Sequence, residues 1–183
     1  MKNDQKNNTF TLSTIQISLI GVLMGLGLVL SRVAIPLGTT NRLSLGFVVT
    51  AVISMLYGPW VGGFAALGVD LLTSFIFGQQ GNFFIGFTLT AFVNGVIYGV
   101  FLHRRRPNWK HVLLAVLFQT VISNIIMNTL WIYILFPSTL KGLLIARIPQ
   151  NLLMGPIRFM LLYFITQNKQ LLSVFDRYTT AKK

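Results

Sequence analysis

Cysteine is absent from the chain, which excludes a disulfide frame, a thiol nucleophile and a zinc–thiolate site. Acids are almost absent: Asp and Glu together number 3, against 15 Lys and Arg. Charge of either sign is scarce, at 10% of 183 residues, where a soluble domain carries about 25%. There is no GxxxxGK[ST] loop to cradle a nucleotide phosphate. HExxH and GxSxG are missing, and no two carboxylates share an apolar run, so the common groundwork for catalysis is lacking. The two histidines, His103 and His111, flank an arginine-rich turn and read as solvated loop residues. No small-residue cleavage pattern follows the first apolar run, which therefore reads as a true span and not a signal peptide.

What is present is apolar. Hydrophobic residues make up 54% of the chain and the mean hydropathy is +0.70. The length allows one compact bundle without an added soluble domain. The net charge of +12 is not a nucleic-acid footprint, because the cations sit in the links between apolar runs and not along a polar face. The fold class expected is an all-α integral membrane protein, a compact bundle of six transmembrane helices. The runs are 13–34, 43–57, 59–77, 83–102, 112–135 and 152–166, preceded by a polar segment, 1–12. About 20 residues cross the hydrocarbon core, so the second and sixth runs are short and borrow flanking residues. Tyr57-Gly58-Pro59-Trp60 with Gly62-Gly63 reads as a tight turn.

Basic residues set the expected orientation. One side holds Lys2, Lys6, Arg104, Arg105, Arg106, Lys110, Lys169, Arg177, Lys182 and Lys183. The other holds only Arg32, Arg42, Lys141 and Arg147. Both termini are then cytosolic, and the outward cations call for another role. The linking segment 136–158 concentrates three cations, Lys141, Arg147 and Arg158, with Pro137, Pro149 and Pro156. Its part from 136 to 151 reads as an outward loop capping a pocket.

Polar groups in lipid are costly and need a partner or a cavity. Asp70 is the only acid inside an apolar run, about 12 Å below the outer end of its helix at 1.5 Å per residue. Thr73 and Ser74 share its face. Asn94 shares a face with Phe87, Ala91 and Tyr98. Thr120, Asn124, Asn128 and Trp131 form one helical stripe. Arg147, Asn151 and Arg158 form another if their helix begins early. Helix glue is the plain alternative for any one of these groups, and an Asp70–Arg158 pair is a second. Taken together at similar depth, they point to an internal pocket open to the outside, with Trp131, Tyr133, Phe83 and Phe84 available to stack on a flat ring. Gly21 and Gly25 form a small-xxx-small stripe on the first helix that permits close approach of another helix.

These segments carry a resemblance over nearly the whole chain. The glycine-bearing first helix, the Gly58-Pro59-Trp60-Val61-Gly62-Gly63 turn leading to Asp70, and Asn94-Gly95-Val96-Ile97-Tyr98-Gly99 are similar to the substrate-binding S components of energy-coupling factor (ECF) vitamin transporters. Asn128-Thr129-Leu130-Trp131 and Arg147-Ile148-Pro149-Gln150…Met154-Gly155-Pro156-Ile157 most resemble the folate-specific branch. The resemblance implies one transmembrane substrate-binding domain, 1–183, that captures a vitamin from outside without hydrolysing ATP. Its implied partners are a transmembrane coupling subunit and two cytosolic ATPases in a prokaryotic cell membrane, with no cofactor or metal of its own. The family's first-helix docking motif has alanines spaced AxxxA; here Gly21 and Gly25 occupy that spacing.

Folate, with its flat pterin and two-carboxylate tail, fits the residues. Arg32, Lys141 and Arg147 are expected to attract the tail, Trp131 and Phe84 to pack on the rings, and Asn128, Asn94 and Asp70 to read the pterin edge. Arg158 completes the expected substrate-binding set. Two alternatives stay open. One is an S component for another vitamin: thiamin suits four outward cations poorly, and riboflavin leaves them unused. The other is a helical scaffold without transport.

Overall fold

A computed structural model describes residues 13–32, 34–36, 42–77, 84–103, 108–135 and 140–168, with the side chains of 34–36, 42, 43, 140–148 and 150 outside that description. The described chain is a bundle of six helical segments. They are α1 (Thr14–Arg32), α2 (Gly46–Tyr57), α3 (Pro59–Phe77), α4 (Ile85–Leu102), α5 (Trp109–Leu135) and α6 (Leu140–Thr166). By length and composition α1, α3, α4 and α5 can each cross a membrane. Large apolar side chains such as Phe75, Leu152 and Phe164 are exposed, as the rim of a lipid-embedded bundle requires.

A small β-ribbon joins α1 to α2. Strands β1 (Ala34–Pro36) and β2 (Arg42–Ser44) are antiparallel, with Ile35 opposite Leu43. Sequence periodicity gave no sign of so short a pair. Ser44 Oγ donates to Ser31 O at 3.1 Å, which ties the ribbon to the end of α1.

The shortest helix is the most enclosed. α2 buries Val49, Ala51, Ile53, Ser54, Met55 and Tyr57. Its neighbours take the lipid contact, so it does not need a full apolar span. It ends at Gly58, whose φ of +95° suits a residue without Cβ. Pro59 then opens α3, where a missing N–H costs nothing. His103 packs on this corner, with Nδ1 3.0 Å from Met55 O. His111 lies within α5. Neither histidine is the free loop residue expected; each sits on a helix end that the arginine turn joins.

Gly62 and Gly63 belong to α3, not to the turn. Their role is close helix approach. A Cβ on Gly95 would stand 2.6 Å from the Gly62 carbonyl carbon and 2.7 Å from Gly63 Cα. α3 and α4 therefore touch backbone to backbone. At the end of the bundle bearing this corner, α2, α4, α5 and α6 close an apolar core around Met55, Tyr98, Leu102, Val112, Val116 and Leu162.

Two helices depart from the sequence expectation. α5 is one continuous helix, but Gln119–Met127 is wound as a π-helix. The N–H of Asn128 reaches back to Ser123 O, five residues away, in the wider ladder of that winding. α6 begins at Leu140, well before 152, with Pro149 and Pro156 inside it. Residues 140–151, expected as loop, are helical; 136–139 lie outside the described residues. Both prolines are exposed, where the lost N–H and the ring cause least conflict with packing. Arg147, Asn151 and Arg158 thus do share one helix.

Candidate functional site

Adjoining the apolar core, with Tyr98 and Phe47 shared between the two, lies a cavity of about 200 Å³. Its floor and walls come from five helices. Ser31 closes α1, and Phe47 and Thr50 open α2. Val69, Asp70 and Thr73 come from the last turns of α3, and Ala91, Asn94 and Tyr98 from the inward stripe of α4. Gln119 comes from the start of the π winding in α5. The i, i+3/i+4 spacing of a helix brings Asp70 with Thr73, and Ala91 with Asn94 and Tyr98, to one wall each.

Interhelical polar contacts surround this level. Thr88 Oγ1 donates to Asp70 Oδ2 at 2.8 Å, joining α4 to α3. A carboxylate has further acceptor positions beyond that bond. Arg158 Nη1 donates to Gln119 Oε1 at 3.1 Å, joining α6 to α5, and its guanidinium lies 6.0 Å from the centre of the Phe47 ring. Arg32 Nη2 donates to Thr73 O at 3.4 Å, with its guanidinium 4.2 Å from the Phe77 ring centre. Asp70 and Arg158 do not pair; each has taken a neutral partner.

Some hydrogen-bonding capacity is left open. Asn94 Oδ1 and Tyr98 OH are buried and have no hydrogen-bond partner among the described residues. Buried polar atoms without partners are uncommon and costly. Both residues line the cavity, where a polar guest can supply what the protein does not.

The sequence-selected residues separate into groups. Asp70 and Asn94 line the cavity. Arg32 touches it through Thr73, and Arg158 through Gln119 and Phe47. Phe84 and Trp131 pack on each other with ring centres 5.6 Å apart, and Trp131 Nε1 donates to Thr90 Oγ1 at 3.0 Å. Asn128 Nδ2 donates to Asn124 Oδ1 at 3.4 Å. These three stand outside the cavity lining. Lys141 and Arg147 lie on α6, their side chains outside the described residues. Gly21 and Gly25 face away from the bundle: a Cβ at either position would meet nothing within 4 Å.

Sequence reasoning missed Gln119. The expected stripe ran through Thr120, yet the buried polar positions of the π winding are Gln119 and Ser123, one step away. The signal was available: Gln119 is an amide inside the run 112–135, and it follows Val112, Ala115 and Val116 at helical spacing, but the more polar stripe through Thr120, Asn124 and Asn128 lies one step on.

A polar cavity in a lipid-facing bundle fits the binding of a small polar guest. Residues 16–166 match the family described as ECF transporter, substrate-specific component. The chain belongs to that family. Relatives of this S component cover most of its length. A protein named folate transporter FolT from Clostridium novyi is 40% identical over 122 residues, 67% of this chain and 70% of its own. A folate transporter FolT from Leuconostoc mesenteroides is 31% identical over 177 residues, covering 92% of this chain and 94% of its own. Among solved structures, FolT bound with folic acid matches with a TM-score of 0.76 and 32% identity, over 84% of this chain and 93% of that one.

Proposed function

We propose that this S component binds folate from the outer side of the cell membrane and passes it inward through a coupling subunit driven by two cytosolic ATPases. The observation that carries the reading is the polar cavity of Asp70, Asn94, Tyr98 and Gln119, in a fold shared with a folic-acid-bound relative. Near-complete coverage by a relative named as a folate transporter supports the same ligand.

The chemistry is complementary. A pterin edge carries an exocyclic amine beside a ring N–H, and Asp70 is an acceptor able to meet such donors. The cavity, at about 200 Å³, is below the roughly 300–1,000 Å³ of drug-sized sites. It suits the ring system, with the benzoyl-glutamate tail reaching toward the mouth. Arg32, bonded to the lining residue Thr73, is a described cation available to that tail, and Lys141 and Arg147 complete the expected attraction. The open face of α1 at Gly21 and Gly25 is the surface for the coupling subunit.

The test is direct. Small molecules released from the purified, denatured protein are identified by mass spectrometry, and the stripped protein is titrated with folic acid. A released pteridine and saturable binding are expected. Release of riboflavin, or no binding of folic acid, overturns the reading.

A further inference from the structure

One wall residue of the cavity has its orientation dictated from behind. Gln119 is 4% exposed, and its Oε1 accepts from Arg158 Nη1 at 3.1 Å. Arginine offers donors only. The contact therefore fixes which end of the amide faces α6, and the NH₂ is the end left for the cavity. No acid competes for Arg158, since Asp70, the sole acid among the described residues, is held by Thr88. Arg158 Nε is itself buried without a partner, so Gln119 is the one hydrogen-bond acceptor the guanidinium has among the described residues. Phe47, another wall residue, has its ring centre 6.0 Å from the guanidinium carbon.

We propose that Gln119 is a ligand-reading residue that presents N–H donors to the cavity, and that Arg158 is the positioning residue that prevents its amide from turning over. The site then has two opposed demands. Asp70 on α3 accepts, and Gln119 on α5 donates. The guest that satisfies both is a flat heterocycle with N–H donors on one edge and a carbonyl oxygen or ring nitrogen on another. Gln119 continues the buried face of α5 formed by Val112, Ala115 and Val116, at the i, i+3, i+4, i+7 spacing of a helix. The inference rests on the folate reading and deepens it.

A merely structural strut and a ligand-reading amide make opposite demands on one variant. Gln119→Glu gives Arg158 a carboxylate, a stronger acceptor, but removes both N–H donors from the cavity. The full chain, purified in detergent and stripped of ligand, is titrated with folic acid and its thermal stability is followed in parallel. Gln119→Glu should melt at or above the parent while its affinity falls about 10- to 100-fold. The positioning role is read from the volume-conserving variants Gln119→Met and Arg158→Met. Arg158→Met should weaken folic acid binding in the parent and have no further effect in Gln119→Met. Parent-like binding by Gln119→Glu overturns the assignment of Gln119. An equal Arg158→Met loss in both backgrounds overturns the positioning role. A parent that fails to bind folic acid overturns the folate reading and this inference together, which separates the two failures.

Discussion

Asp70 shows how an acid can sit in a lipid-facing bundle without an ionic partner. Thr88 engages one oxygen, and the cavity gives access to a polar guest. Asp70→Asn keeps an oxygen for Thr88 and deletes the charge. Folic acid affinity should then fall about 10- to 100-fold, since a hydrogen bond to a charged group is worth about 1.5–3 kcal/mol. The melting temperature should stay within a few degrees of the parent. Unchanged affinity in an equilibrium titration would place the pterin elsewhere. Asp70 and Asn94 were legible in the sequence because an acid or amide inside an apolar run is conspicuous by its cost. Gln119, also an amide inside an apolar run, was overlooked because the neighbouring stripe of Thr120, Asn124 and Asn128 is more polar, although the buried Val112, Ala115 and Val116 face leads to Gln119. Trp131 was legible as an outer aromatic, but its contact with Thr90 depends on how two helices meet, which spacing along one helix cannot show.

The seam between α3 and α4 depends on hydrogen atoms where side chains would otherwise be. Gly95→Ala would drive a Cβ toward the Gly62 carbonyl and Gly63 Cα, atoms that cannot rotate away. Overpacking of this sort costs about 1–3 kcal/mol, so a lower melting temperature is expected in a detergent thermal scan. Gly155→Ala is the control. Its Cβ would meet nothing within 4 Å, and alanine in a helix interior is favoured over glycine by about 0.5–1 kcal/mol. Similar destabilisation by both substitutions would mean that the seam is looser than described. The sequence displayed these glycines openly, yet assigned Gly62 and Gly63 to a turn, because the reason for them lies on α4. The early start of α6 was hidden for the opposite reason. Pro149 fell in the segment expected as loop, while its exposed position lets the helix run through.

For the assembled protein, the distribution of exposure divides labour between faces. α1 is the least enclosed of the four full-length spans, and its Gly21–Gly25 strip is bare. Gly25→Trp should leave folic acid binding unchanged while abolishing co-purification with the coupling subunit and folate uptake by cells. Retained uptake would move the partner surface off α1. The six-segment helical plan was readable from apolar run lengths alone. The cavity's exact walls were not, because they arise where five helices converge.

The glycine seam has a consequence for selectivity and timing. Two helices fused backbone to backbone behave as a single plank, and Asp70 and Asn94 are both fixed to it. Their separation is insensitive to loosening elsewhere, so the share of the preference read by Asp70 and Asn94 is set on the stiff side. How fast a guest escapes is left to the helices around it. Substitutions that alter dwell time without altering preference should therefore collect on α1 and on the parts of α5 and α6 away from Gln119 and Arg158, and spare the plank.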